Sequence, residues 1–223
     1  MKAVNKFIFF YLLNIGILYC ALLKPDNGEY LNYIYIEFEW DQIPQADYYE
    51  LQISNDLEFS NLALDIDHSN TLFIDRASLE WDRTYYWRIR PVFNQSEYGL
   101  WTNPFSFSTG TTLSNTTVSI SDTNAFQQGI TVFGAFFNYF SAAIDESGKE
   151  IWNSGIEDLV YYNSNRYGNV FGCSLAPGTE NNLPGKEFTF QGEIVWEEPN
   201  DEFLHHDLIQ LPNGNYLGII ETT

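Results

Sequence analysis

Basic residues are scarce in this chain. Ten lysines and arginines stand against thirty aspartates and glutamates in 223 residues, a formal charge of −20. Such a surface repels phosphate backbones and anionic headgroups, which argues against nucleic-acid binding and against docking on anionic lipid. Cysteine is scarcer still, with only Cys20 and Cys173. One of the two lies in the N-terminal apolar run, so no internal disulfide framework follows and stability must come from packed sheets. No segment sustains a 3.6-residue apolar period, which argues against amphipathic helices. A Gly-rich phosphate loop, a Ser-His-Asp order and a Cys-x-x-Cys pair are also missing. Of three histidines, two are adjacent. No third His, Cys or carboxylate cluster stands at ligand spacing beside them, so no metal is expected.

Apolar residues are abundant, at 44% of the chain, enough to fill one or two cores. The first apolar stretch has a separate meaning. Lys2 and Lys6 precede a run from Phe7 to Leu23 that only Asn14 and Gly16 interrupt. This pattern predicts a secretory signal peptide at 1–23 and a periplasmic or extracellular protein. An uncleaved anchor is the alternative, in which case this leader is the sole contact with a membrane. Tyr19, directly before Cys20, is bulky where a lipobox needs a small residue.

From Leu31 to Thr109 the apolar residues alternate with period two. Ile34, Ile36, Phe38 and Trp40 fall on one face, and Tyr33, Tyr35, Glu37 and Glu39 on the other. Tyr49, Leu51 and Ile53 repeat the pattern, as do Tyr85, Trp87 and Ile89. Period two with one apolar face predicts half-buried strands. Turn residues at Ile43-Pro44, Asn55-Asp56, Ser69-Asn70 and Asn94-Gln95 separate them, which predicts a β-sandwich over 24–110. Within it, His68 reads as a solvated turn histidine. The region resembles a bacterial fibronectin type III domain in Trp40, the run from Tyr48 to Ser54, the strand from Thr84 to Val92, and Trp101. Leu79, six residues before Tyr85, has the spacing of a tyrosine corner. The resemblance implies a fold and no activity.

The second half carries a weak repeat. Gly148 and Gly192 are 44 residues apart, as are Trp152 and Trp196, each tryptophan four residues after its glycine. A propeller blade takes about 40–45 residues. Residues 111–223 are therefore expected to form an incomplete β-propeller, and the fold class is all-β, a fibronectin type III-like sandwich followed by that propeller. Near the end, Leu204-His205-His206-Asp207 runs into a strand, and Pro212-Asn213-Gly214-Asn215 reads as a tight hairpin turn with φ > 0 at both central residues. At 113 residues the second half holds about two and a half blades. The chain is thus expected to be the N-terminal part of a longer protein and inactive alone.

Three stretches of this half resemble the bacterial aryl-sulfate sulfotransferases: Ile130–Gly155, Phe188–Pro199 and Leu204–Leu217. The resemblance implies phenols and aryl sulfates as small-molecule partners, no cofactor, and a channel histidine that forms a sulfohistidine intermediate, a nucleophile that the family carries in a later blade and that is expected beyond residue 223. His206 and His205 match the histidines of the family motif and are the candidate catalytic residues. Adjacent strand residues face opposite ways, so one of the two is expected to face the channel, with His206 preferred. Asp207 is a candidate to orient it, and Arg166 a weaker candidate for the channel. The Glu197-Glu198 and Asp201-Glu202 pairs read as a solvated loop. Tyr161, Tyr162 and Trp196 read as packing. A non-catalytic extracellular binding or adhesion protein is the alternative function, and a quinone-holding redox propeller a third.

Overall fold

The computed structural model describes residues 21–119, 122, 124, 125, 128–179, 183–199 and 204–220, apart from the side chains of 204–206 and 220. Its regular structure is all-β, and the described residues include no helix. Nine strands occupy the first half: β1 (Leu22–Lys24), β2 (Glu29–Leu31), β3 (Ile36–Trp40), β4 (Tyr48–Ser54), β5 (Leu62–His68), β6 (Leu72–Asp75), β7 (Thr84–Phe93), β8 (Glu97–Tyr98) and β9 (Phe105–Thr109). They form two sheets, ordered β1-β3-β6 and β2-β9-β7-β4-β5, with β8 on the side of β7. The predicted alternation supplies the core between them. Ile36, Phe38 and Trp40 of one sheet meet Leu51, Ile53, Trp87, Ile89 and Phe107 of the other. Phe38 packs edge-on against Trp87, ring centroids 5.2 Å apart, a favoured aromatic geometry. The Tyr85 hydroxyl accepts a hydrogen bond from the Glu80 N–H at 2.9 Å, beside buried Leu79.

Three readings of this half need correction. The expected end of the leader, Leu23, falls inside β1. Residues 1–20 lie outside the described residues, but Leu22 pairs with Trp40 and is buried in the core. His68 is not a solvated turn residue. It ends β5, half-buried, with Nε2 2.9 Å from the Leu72 carbonyl and its ring against Phe73.

The third correction concerns Ile34. Its alternation with Ile36 places it in the same core as Trp87, but the chain bends at residues 34–35 and β3 begins only at Ile36. Ile34 packs instead with Ala143, Ile151, Trp152, Leu159, Val170 and Phe188. Backbone pairing is the reason. The Ile34 N–H donates to the Ile151 carbonyl at 3.0 Å and the Asn153 N–H donates to the Asn32 carbonyl at 2.9 Å, while Tyr33 bridges to Trp152. Residues 32–34 are thus an added edge strand of a sheet in the second half, and an edge that gains partners there has no cause to continue β3.

The second half contains β10 (Thr131–Ala135), β11 (Phe140–Ile144), β12 (Glu150–Asn153), β13 (Leu159–Ser164), β14 (Val170–Ser174), β15 (Gly185–Phe188), β16 (Ile194–Glu197), β17 (Leu204–Gln210) and β18 (Tyr216–Ile220). They make sheets β10-β11-β12, β13-β14-β15-β16 and β17-β18, antiparallel throughout. The 44-residue repeat corresponds to one turn made twice. Between β11 and β12 the Asp145 N–H donates to the Lys149 carbonyl, and the Gly148 N–H to Asp145. Between β15 and β16 the Thr189 N–H donates to Glu193 and the Gly192 N–H to Thr189. Both glycines need their left-handed φ, +89° and +86°. The same pair of bonds recurs at Asn165–Asn169, joining β13 to β14, and at Leu211–Asn215, joining β17 to β18. The Asn213-Gly214 turn is therefore longer than predicted. Its closing bond runs from Leu211 to Asn215, and of the Asn-Gly pair only Gly214 has positive φ.

Candidate functional site

The predicted catalytic pair lies on β17, so the placement of that strand comes first. β10 lies against β13, and β13 against β17. The first contact is close because a glycine allows it. A Cβ on Gly134 would stand 2.4 Å from the Tyr161 carbonyl oxygen, which belongs to unyielding backbone. Ser141 completes this contact. Its hydroxyl donates to the Leu159 carbonyl and accepts from the Tyr161 N–H, each at 2.7 Å, so the free edge of β13 is satisfied by a side chain. The second contact is made by Asn163, whose Nδ2 donates to Asp207 Oδ1 and to the Leu208 carbonyl, each at 3.0 Å. Leu208 and Phe171 bury each other below it.

His205 and His206 stand in β17 beside Asp207, and the ladder is irregular there. Leu204 pairs with Ile220 and Leu208 with Gly218, so β17 spans four residues where β18 spans two. The histidines and Asp207 occupy that bulge, a device that re-aims side chains near sites. The side chains of His205 and His206 lie outside the described residues. Asp207 is exposed and held by Asn163. The structure does not bring Arg166 to this strand's bonded neighbours. It is exposed on the turn after β13, its guanidinium 4.7 Å from the Tyr167 ring centroid and bonded to the Tyr167 hydroxyl.

A buried carboxylate that sequence reading passed over fixes the hairpin. Glu187 on β15 is 1% exposed. It accepts from Asn169 Nδ2 at 2.5 Å and, through its other oxygen, from the Tyr216 hydroxyl. Burial, with the Glu187 carboxylate beside it, pushes the Tyr216 phenol up to about 12. The Tyr216 ring stacks on Trp196, centroids 3.8 Å apart and planes 10° from parallel. Trp196 is therefore packing, as its sequence suggested. A Glu between an aromatic-rich strand and a turn carries no local signal for this role, because both partners come from other hairpins.

The acidic pair Glu197-Glu198 is split. Glu197 is paired with Lys186 at 2.9 Å, whereas Glu198 is buried and not part of a solvated loop. Asp201 and Glu202 lie outside the described residues. Burial pushes the Cys173 thiol up to about 11, which suppresses the thiolate. Among the described residues no three His, Cys, Asp or Glu side chains converge as a metal site would require.

A cleft between the two halves is the other candidate. Tyr33 and Tyr35, between β2 and β3, line a cavity of about 340 Å³ together with Trp152 of β12 and Phe190. The Trp152 indole N–H donates to the Phe190 carbonyl, and the two rings meet at 86°. Sequence alternation placed both tyrosines on an outer face, but only the added strand 32–34 sets that face against another sheet. Neither a scan of protein-family models nor a search of curated proteins finds a match to this chain.

Proposed function

We propose that the chain is an exported protein of aryl-sulfate sulfotransferase type, a fibronectin type III-like sandwich followed by propeller blades, with His206 and His205 at the reacting site. The strand order β1-β3-β6 opposite β9-β7-β4-β5, and the Tyr85 hydroxyl on the Glu80 N–H, support the sandwich reading. The recurring turn supports blades. It closes all four hairpins, β11–β12, β13–β14, β15–β16 and β17–β18. The observation that carries the functional reading is the bulge that holds His205, His206 and Asp207 on β17, a strand that lies against β13 and β14.

The chemistry would run in two displacements. A neutral imidazole nitrogen attacks the sulfur of an aryl sulfate, the sulfur–oxygen bond to the ring breaks, and phenolate leaves. A second phenol oxygen then attacks the sulfur, its O–H bond breaks with the proton balancing the phenolate released in the first step, the nitrogen–sulfur bond breaks, and the neutral imidazole is restored. Hydrogen-bond donors must stabilise the sulfuryl oxygens throughout. The test is phenyl sulfate titration followed by imidazole NMR, with His206→Ala and His205→Ala. A shift confined to His205 or His206, with His68 unmoved, is expected. No shift of either at saturating phenyl sulfate would sink the reading.

A non-catalytic binding protein is the second reading, and the aromatic cleft between the halves supports it.

A further inference from the structure

The cleft is bounded by the outer face of β3 and β6 and by the sheet β10-β11-β12. Its volume of about 340 Å³ falls within the range of small-molecule sites. Tyr33, Tyr35, Trp152 and Phe190 line it, and most of the remaining lining is aliphatic. Among the described residues Glu37 is its one charged lining residue, and no Lys or Arg lines it. The Trp152 and Phe190 rings, at 5.0 Å and 86°, form two adjoining walls. The indole N–H is spent on the Phe190 carbonyl and Trp152 is only 6% exposed, so it offers a ligand no donor.

We propose that this cleft binds a compact organic cation of the quaternary-ammonium class, held by the aromatic faces and by Glu37. Aromatic faces attract cations through the ring quadrupole, most strongly where water is excluded. The local field has the same sign. Burial, together with Glu29 and Glu37, pushes the Tyr33 phenol up to about 12. Burial, Asp145 and Glu146 raise Tyr35, against Arg76. Lys24 stands 3.6 Å from Glu37 and 3.5 Å from Glu39, so one ammonium serves two carboxylates. Five acids thus stand against Lys24 and Arg76 in this neighbourhood, and of them Glu37 lines the cleft. An anion entering it would lose hydration and find no cationic lining, while an uncharged ligand would gain from burial alone. A net charge of −20 also steers cations inward.

The proposal rests on the cleft being a ligand site and is independent of sulfuryl transfer at β17. The test is calorimetric titration of the whole chain with choline and with dimethylbutanol, its uncharged carbon isostere. Choline is expected to bind about tenfold tighter than the isostere. Glu37→Gln should weaken choline several-fold and leave the isostere unchanged. Glu39→Gln, which removes the other partner of Lys24 without touching the cleft, should leave both unchanged. Tyr35→Leu should weaken choline in a chain whose circular dichroism is intact. Equal binding of choline and isostere would overturn the cation class and leave a merely apolar ligand site. Binding of neither, by a folded chain, would overturn the ligand site as well.

Discussion

Replacing Glu150 by Gln should destabilise the chain by about 3 kcal/mol, far more than an ordinary surface change. Glu150 is 5% exposed and lies at the start of β12. One oxygen accepts from the Leu113 N–H at 2.9 Å and from Asn153 Nδ2 at 2.6 Å. The other accepts from the Ser114 N–H at 2.7 Å and from the Ser114 hydroxyl. A glutamine keeps one oxygen but presents an NH₂ to the second pair. The Ser114 hydroxyl can rotate to accept, whereas the Ser114 N–H cannot. One buried donor is then unpaired, at about 1–3 kcal/mol, and the remaining bonds lose their charge assistance, about 1 kcal/mol each. Relief from burying a charge offsets part of the total. Urea unfolding followed by tryptophan fluorescence measures the loss, with exposed Glu146→Gln as the control expected within about 0.5 kcal/mol. If Glu150→Gln behaves like the control, segment 113–114 does not rest on this carboxylate and the seam is misdescribed.

Tyr216→Phe should cost about 2 kcal/mol, because it strips buried Glu187 of a donor. Since folding raises the Tyr216 pKa from 10.0 to about 12, its contribution is complete below pH 10 and lost as pH rises towards 12; the phenylalanine variant should lack this alkaline loss in a pH series of thermal melts. Gly134→Ala should lower stability by about 3 kcal/mol, since its methyl would meet the Tyr161 backbone at 2.4 Å; an unchanged melting temperature would mean that β10 does not approach β13 as described. Cys173 should resist thiol reagents in the native chain and react on unfolding, and rapid native labelling would contradict its burial.

Strand identity was legible because alternation is a local signal. Every residue of the Ile36, Phe38, Trp40 series is buried, as is every residue of the Tyr85, Trp87, Ile89 series. Which core a residue enters was not legible. Ile34 continues the period perfectly and still belongs elsewhere, because its backbone is bound by Ile151, more than a hundred residues away. The turn residues likewise marked where hairpins fall but not their length, as Asn213-Gly214 demonstrates. The arginines in the Thr84–Val92 strand carried a further hidden role. Arg88 lies between the Phe59 and Trp101 rings, and Arg90 between Trp101 and Tyr98, at 3.8–4.4 Å. Two of the ten basic residues are thereby consumed in an internal stack. Charge counting alone cannot show this. At the candidate site, the motif located the strand and its bulge came from pairing with β18. Glu187 had no sequence signal, because its partners arrive from two other hairpins.

The seam between the halves bears directly on the cleft. Residues 32–34 extend β12 by backbone pairing, and Trp81 Nε1 donates to the Glu150 carbonyl at 2.7 Å. Lys149 reaches the Leu79 carbonyl and the Glu80 carboxylate, while Glu150 fastens 113–114 from the other side. These bonds tie three separate segments, 32–34, 79–81 and 113–114, to the one stretch 149–153. Tyr33, Tyr35, Trp152 and Phe190 are therefore held together around the cleft. Weak cation–aromatic attractions become useful under that condition, because no ordering of the site is left to offset them. The displacement of Ile34 from the expected core and the existence of the cleft have one cause, the recruitment of 32–34 as an edge strand. A sequence in which residues 34–35 ran straight into β3 would bury Ile34 where its alternation predicts, and would have no cleft.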